Sequence, residues 1–169
     1  MTAASRNMTR LVVIALLAAT PIGRVQAATT TVQANAKVVK ALSLSSVQDL
    51  DFGTVIVPNT PGTYSLSISI AGVLSCPAPL SCTGTARPAI LNVAGSNSQV
   101  VRIFAAASDL VNSADGSTIR FTPIAPATIT LTNSGMPGRN FNVGGSLSIP
   151  STVTGGTYAG NVEITVDYQ

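Results

Sequence analysis

A regular alternation of apolar and polar side chains runs through the C-terminal stretch from Tyr158 to Tyr168. The even positions are apolar or small, whereas the odd positions from Asn161 onward are polar: Tyr158, Gly160, Val162, Ile164, Val166 and Tyr168 form the even set. Successive side chains of a β-strand point to opposite faces. The stretch therefore predicts one long strand with a buried side and a solvent-facing side.

Weaker versions of this alternation recur along the chain, between clusters of Gly, Pro, Asn and Ser. The pair Gly144-Gly145 is one such interruption, between an apolar pair at Phe141 and Val143 and another at Leu147 and Ile149. Roughly nine short strands result, and no stretch beyond the N-terminus has a helical period. Short strands at this spacing predict an all-β fold, an antiparallel β-sandwich.

The N-terminal 27 residues have the layout of a secretory signal peptide. Arg6 and Arg10 precede the apolar run 11–19, and Val25-Gln26-Ala27 supplies small residues for cleavage after Ala27. The alternative is a membrane anchor, but the run has only about half of the ~20 residues that a transmembrane helix needs. We expect residues 1–27 to be removed, leaving no transmembrane segment and an exported protein that passes through the periplasm to the cell surface.

Removal of the signal peptide changes the net charge. The chain has nine Lys and Arg, of which Arg6, Arg10 and Arg24 lie in the signal peptide, so 9 − 3 = 6 remain. All six Asp and Glu remain, and the mature net charge is 6 − 6 = 0. A neutral chain has no basic surface for nucleic acid. Weak charge repulsion suits a chain that associates with others.

Cys76 and Cys82 are the only cysteines, and Pro77 and Pro79 lie between them. In an oxidising compartment this spacing predicts a disulfide across a short loop. The alternative is a metal or redox pair. Without His or a second Cys pair a metal would lack ligands, and the C-x-x-C spacing of redox sites is absent.

A second alternation lies at the mature N-terminus, where Val32, Ala34, Ala36, Val38, Leu42 and Leu44 share one parity that is broken only by Lys40. We place the first strand at Ala36–Leu44 and the domain at residues 36–169. Residues 28–35 then form an N-terminal extension with Val32 and Ala34 on one face. At ~3.3 Å per residue it would reach about 26 Å.

Residues for catalysis are scarce. The chain has no His to act as a base, both cysteines are expected to be oxidised, and no phosphate loop or dinucleotide motif occurs. Asp49 and Asp51 share a parity and leave a weak cation site open, although such a pair is more typical of a solvated loop or cap. We therefore expect neither an enzyme nor a cofactor or metal.

Five segments resemble the exported bacterial proteins grouped as domain of unknown function 4402 (DUF4402). Near the C-terminus these are Gly144–Ile149, Gly156–Gly160 and Val162–Tyr168, and upstream they are Ala36–Leu44 and Leu50–Gly53. The resemblance covers nearly all of the mature chain. That family is similar in turn to the pilin-like domains of chaperone–usher fimbriae and to spore-coat-U-like secreted proteins.

The pilin-like resemblance implies an immunoglobulin-like sandwich that lacks its final strand. Its groove would be filled first by a periplasmic chaperone, which hands the subunit to an outer-membrane usher, and then by the N-terminal extension of another copy. Val32 and Ala34 would belong to that donor strand. The assembly edge would consist of Tyr158, Val162, Ile164, Val166 and Tyr168.

Two functions follow from these observations. The first is a structural, non-catalytic fimbrial subunit involved in cell adhesion, which assembles by β-strand complementation with copies of itself or related subunits. The alternative is a self-contained secreted or periplasmic sandwich that coats a surface or binds a ligand. In the alternative, the N-terminal segment would complete the sheet of its own domain.

Overall fold

A computed structural model describes residues 26–169. Most of the predicted signal peptide, residues 1–25, lies outside this range. Residues 26–36 form a unit of their own, without strands and with every residue exposed. Residues 37–169 form the folded domain.

The described residues contain β-strands and no helix. In chain order the strands are β1 (Ser43–Gln48), β2 (Thr54–Ile56), β3 (Thr63–Ile68), β4 (Leu74–Ser75), β5 (Ser81–Thr83), β6 (Ala89–Ala94), β7 (Val100–Ala105), β8 (Ser108–Asn112), β9 (Thr118–Ile124), β10 (Thr128–Thr130), β11 (Arg139–Pro150), β12 (Tyr158–Ala159) and β13 (Ile164–Tyr168).

All pairings between these strands are antiparallel. The largest sheet runs β1-β6-β11-β9-β8-β12, with β3 against β11 and β4 against β3. A second sheet runs β10-β7-β13, and β2 pairs with β5. The predicted all-β antiparallel architecture is confirmed. The predicted number of strands was too low, because β2, β4, β5, β10 and β12 have only two or three residues each.

The apolar interior consists of two clusters. The first surrounds Phe121 and includes Phe52, whose ring meets Phe121 edge-on with centroids 6.1 Å apart. The second surrounds Val93 and Val101 and receives the inward side chains of β13. Edge-to-face packing of this kind adds to the stabilisation that burial provides.

The Gly144-Gly145 pair does not separate two strands, as the sequence suggested. It lies inside the 12-residue strand β11, which pairs with β6 before the glycines, with β9 from Gly144 onward and with β3 from Gly145 onward. A Cβ on Gly144 would collide with the Ile68 carbonyl oxygen, and one on Gly145 with the Phe121 ring. These glycines allow close packing rather than a turn.

The single long strand predicted for the C-terminus is also wrong. The chain pairs with β8 as β12, leaves the sheet after Ala159 and pairs with β7 as β13. Gly160 marks the break, where a Cβ would lie 2.8 Å from the Asp109 carbonyl oxygen. An alternating sequence can therefore serve two sheets in turn, because alternation sets the buried face but not the neighbouring strand.

The first strand begins at Ser43 rather than at Ala36. Residues 37–42 have no strand partner although they continue the alternation except at Lys40, and Val38 is 89 % exposed. The predicted disulfide is confirmed: Cys76 and Cys82 are bonded, with Cα atoms 6.3 Å apart. Their loop carries Leu80 into the first cluster.

Candidate functional site

An open groove lies over the first apolar cluster, between two stretches of chain that do not pair with each other. One rim is formed by residues 49–59 and the other by residues 151–164, and the groove encloses about 980 Å³. Its floor is apolar and comes from six side chains of the interior: Leu91, Leu110, Ile119, Phe121, Leu147 and Ile149. Five of these side chains are at most 8 % exposed and Leu110 is partly buried, so the groove runs along the surface of the core without leaving it open to solvent.

The first rim is held by a short backbone bridge. The Asp51 amide donates to the Arg87 carbonyl at 3.0 Å, and the Arg87 amide donates to the Asp51 carbonyl at 2.8 Å. The Asp51 carboxylate accepts from the Gly53 amide at 2.9 Å, and Gly53 has a φ of +71° that favours glycine. Phe52, between them, points into the core.

The two aspartates of this rim have structural partners. Asp49 accepts a long hydrogen bond of 3.5 Å from the Ser46 hydroxyl, and Asp51 forms an ion pair of 3.8 Å with Arg87. The ion pair is about half exposed, so it contributes little. Among residues 26–169, no three His, Cys, Asp or Glu side chains are grouped in a way that could hold a metal ion. Both carboxylates therefore have partners among residues of the same domain.

The second rim is fixed by Tyr158. Its hydroxyl donates to the Thr154 carbonyl at 2.6 Å and lies 2.7 Å from the Ser117 hydroxyl. Tyr158 and Ala159 pair with the edge of β8, so two residues join this rim to the large sheet. Residues 160–163 then cross to the other sheet without a strand of their own.

Strand β13 borders the groove at its first residue and has a free edge. Ile164, Val166 and Tyr168 are partly buried, whereas Thr165 and Asp167 are exposed. Strand β7 is its only strand partner within residues 26–169, and it takes one edge of β13. The backbone amides and carbonyls of the other edge remain available to an added strand.

The residues predicted from the sequence divide into two groups. Tyr158, Val162 and Ile164 line the groove, while Val166 and Tyr168 pack on the second cluster beyond it. In the N-terminal unit, Val32 is 88 % exposed and Ala34 is also exposed. The floor and the first rim were not predicted. Alternation identified their inward side chains, but gave no signal as to which of them would line a groove.

In the described part of the chain no helix is long and apolar enough to cross a membrane. Comparison with known proteins gives no significant match to a curated protein, and none to a solved structure. Residues 42–168 match the sequence profile of a family described as "Domain of unknown function (DUF4402)". The match starts one residue before β1 and ends at the last residue of β13. The chain therefore belongs to the DUF4402 family.

Proposed function

We propose that this protein is a non-catalytic subunit of an exported fimbria-like polymer, and that its groove accepts a β-strand from another copy. The observation that carries the proposal is the groove itself, which lies between two chain segments that do not pair with each other and has apolar core side chains along its floor. A pilin-like, immunoglobulin-like domain without its last strand would have this form.

The free edge of β13 supports the proposal. A strand laid along it would extend the order β10-β7-β13 by one member and pair backbone groups that solvent now satisfies. The same strand would cover groove side chains such as Ile164. Backbone pairing would supply affinity. The apolar floor would supply specificity, because every second side chain of the added strand would face it.

The N-terminal segment of another copy is the occupant that fits best. Because β1 begins at Ser43 and not at Ala36, the extension is longer than the predicted residues 28–35. We take it as residues 28–39, the stretch that ends before Lys40. Its reach becomes about 40 Å at ~3.3 Å per residue. Val32, Ala34, Ala36 and Val38 share one parity, and Val32 and Val38 are almost fully exposed. This gives two large apolar side chains separated by two small ones.

The test is a parity experiment on the full chain. Val32→Asp and Val38→Asp each place a charge on the face that would enter the groove. Gln33→Asp introduces the same charge on the opposite face and is the matched control. We expect the wild type and the control to form oligomers in light scattering and gel filtration, and the two valine variants to remain monomeric.

Each outcome separates the two candidate functions. Oligomers that dissociate in both valine variants and persist in the control support strand complementation between copies. A wild-type chain that stays monomeric at high concentration, or oligomers indifferent to all three changes, would refute it. A monomer whose groove binds a ligand in a saturable manner would instead indicate the self-contained ligand-binding module. Export by way of a chaperone and an usher is part of the proposal, and periplasmic co-purification of these partners tests it.

A further inference from the structure

Three hydrogen bonds form a closed ring around the backbone of Lys40. The Lys40 amide donates to the Ser96 hydroxyl at 2.6 Å, and the Ser96 amide donates to the Tyr168 hydroxyl at 2.8 Å. The Tyr168 hydroxyl donates to the Lys40 carbonyl at 2.7 Å. We name these three residues the clasp. It satisfies both backbone polar groups of a residue that belongs to no strand.

The space for the clasp depends on Gly95. A Cβ at that position would collide with the Tyr168 hydroxyl and lie 2.8 Å from Leu42 Cδ2 and 2.9 Å from Leu131 Cδ1. Leu42 and Tyr168 both pack on the second apolar cluster. The tyrosine is therefore held along its ring by apolar contacts and at its hydroxyl by two hydrogen bonds.

The clasp and the groove lie toward opposite ends of the strands that connect them. Strand β1 starts near the clasp at Ser43 and reaches the groove at Ser46. Strand β13 starts at the groove with Ile164 and ends at the clasp with Tyr168. Ile164 and Tyr168 are four residue steps apart along β13, a distance of about 13 Å.

We propose that the clasp fixes the direction in which the N-terminal segment leaves the domain, so that the segment serves the groove of a second copy and not its own. This inference rests on the proposed function and names the residues that make complementation intermolecular. With Lys40 held at the end of β13, a segment folded back along β13 in its own domain would run parallel to it. A segment from another copy is free to run antiparallel, and antiparallel pairing is slightly more stable per residue.

The clasp itself can be tested because Lys37 and Lys40 are the only lysines of the chain. A background with Lys37→Arg and Val32→Asp leaves one site for a lysine-specific protease and keeps the segment out of any groove. In this background, Tyr168→Phe removes one hydroxyl and with it two hydrogen bonds of the clasp. We therefore expect cleavage after Lys40 to become about tenfold faster. Tyr64→Phe is the matched control, because the Tyr64 hydroxyl binds the Thr60 carbonyl away from the groove lining.

The positioning role is tested in the chain with native Val32 and Lys37. We expect Tyr168→Phe and Ser96→Ala to convert oligomers into monomers that do not reassociate on concentration, while Tyr64→Phe assembles as the wild type does. Amide hydrogen exchange should show residues 28–39 protected in those monomers, as a segment inserted into its own groove would be. A merely structural role would lower the melting temperature without this protection.

The outcomes distinguish the two proposals. Unchanged cleavage after Lys40 in Tyr168→Phe would overturn the clasp. Faster cleavage with wild-type assembly would overturn its positioning role and leave strand complementation standing. A wild-type chain that never assembles would overturn the proposed function and this inference together.

Discussion

Close approach between a backbone and its neighbours requires glycine at several positions of this domain. At Gly144 the obstacle to a side chain is the Ile68 carbonyl of the neighbouring strand, whereas at Gly145 it is the Phe121 ring. A ring can tilt, but a carbonyl within a sheet cannot move without breaking the ladder. The sequence alone could not separate such glycines from turn glycines like Gly53, whose φ is +71°.

We expect Gly144→Ala to lower the free energy of unfolding by about 2–3 kcal/mol, because the added methyl forces β3 and β11 apart. Gly155→Ala is the control, since no atom lies within 4 Å of its Cβ position. That control should leave stability unchanged or raise it by less than about 1 kcal/mol. Urea denaturation followed by circular dichroism measures both, and equal effects would contradict the packing explanation.

Asp115 gives a residue-scale prediction on pH. Hydrogen bonds from the Ser117 hydroxyl at 2.7 Å and then from the Ser117 amide at 3.0 Å hold the pKa of Asp115 below its ordinary value of 3.8. Because the folded pKa is the lower one, the carboxylate stabilises the fold above the unfolded pKa and loses this effect as the pH falls through the folded pKa.

Wild type should therefore melt at a higher temperature than Asp115→Asn at about pH 6, and the difference should shrink below about pH 4. Thermal denaturation at both pH values tests this. Asp49→Asn is a comparison variant at another exposed aspartate. A difference that grows as the pH falls would contradict the assigned direction.

At the scale of elements, the disulfide loop supports the first rim of the groove. Strand β5 contains Cys82, which lies opposite Val55 of β2 in the register, and Val55 lines the groove. The loop also buries Leu80 in the first cluster. The disulfide thus fastens a two-stranded sheet that has only three residues in each strand.

Replacing both cysteines by Ala should lower the free energy of unfolding by about 2–3 kcal/mol, the effect expected for so short a closed loop. The urea midpoint reports the change, and wild type in a thiol reductant should show a similar loss. A double variant as stable as the oxidised wild type would show that the loop holds its position without the bond.

At the scale of the whole molecule, residues 28–169 contain six Lys and Arg and six Asp and Glu, so their formal net charge is zero, and the contact proposed between copies is apolar. Screening by salt weakens interactions between exposed charges, but it leaves buried apolar contacts and backbone pairing largely intact. Lys37 within the segment and Lys40 directly after it are the charges that would be available for an ionic contact with rim aspartates such as Asp49 and Asp51.

Oligomers of the full chain should therefore persist when NaCl is raised from about 0.05 M to about 0.5 M, whereas contacts through exposed ion pairs would weaken. Sulfate salts should strengthen them, because they favour apolar burial. Sedimentation velocity across the salt series is the measurement. The Val32→Asp variant provides the baseline, and dissociation at high NaCl would point to ionic contacts instead.

The sequence by itself determined the local properties of the chain. Alternation gave the all-β class and the buried face of β13, with Ile164 and Val166 inward and Thr165 outward. The spacing of Cys76 and Cys82 gave the disulfide, because only six positions separate them. These features depend on neighbours in the chain, which a sequence displays directly.

Only the tertiary structure decided which strands pair and what remains uncovered. The groove floor comes from strands that are distant in the sequence, including β6 and β11. The clasp joins Lys40 to Tyr168 across 128 positions of the sequence. The single strand expected at residues 158–168 became two, because β8 and β7 each offer an edge. Alternation specifies which side of a strand is apolar, but the partner that covers that side is fixed by packing between distant segments.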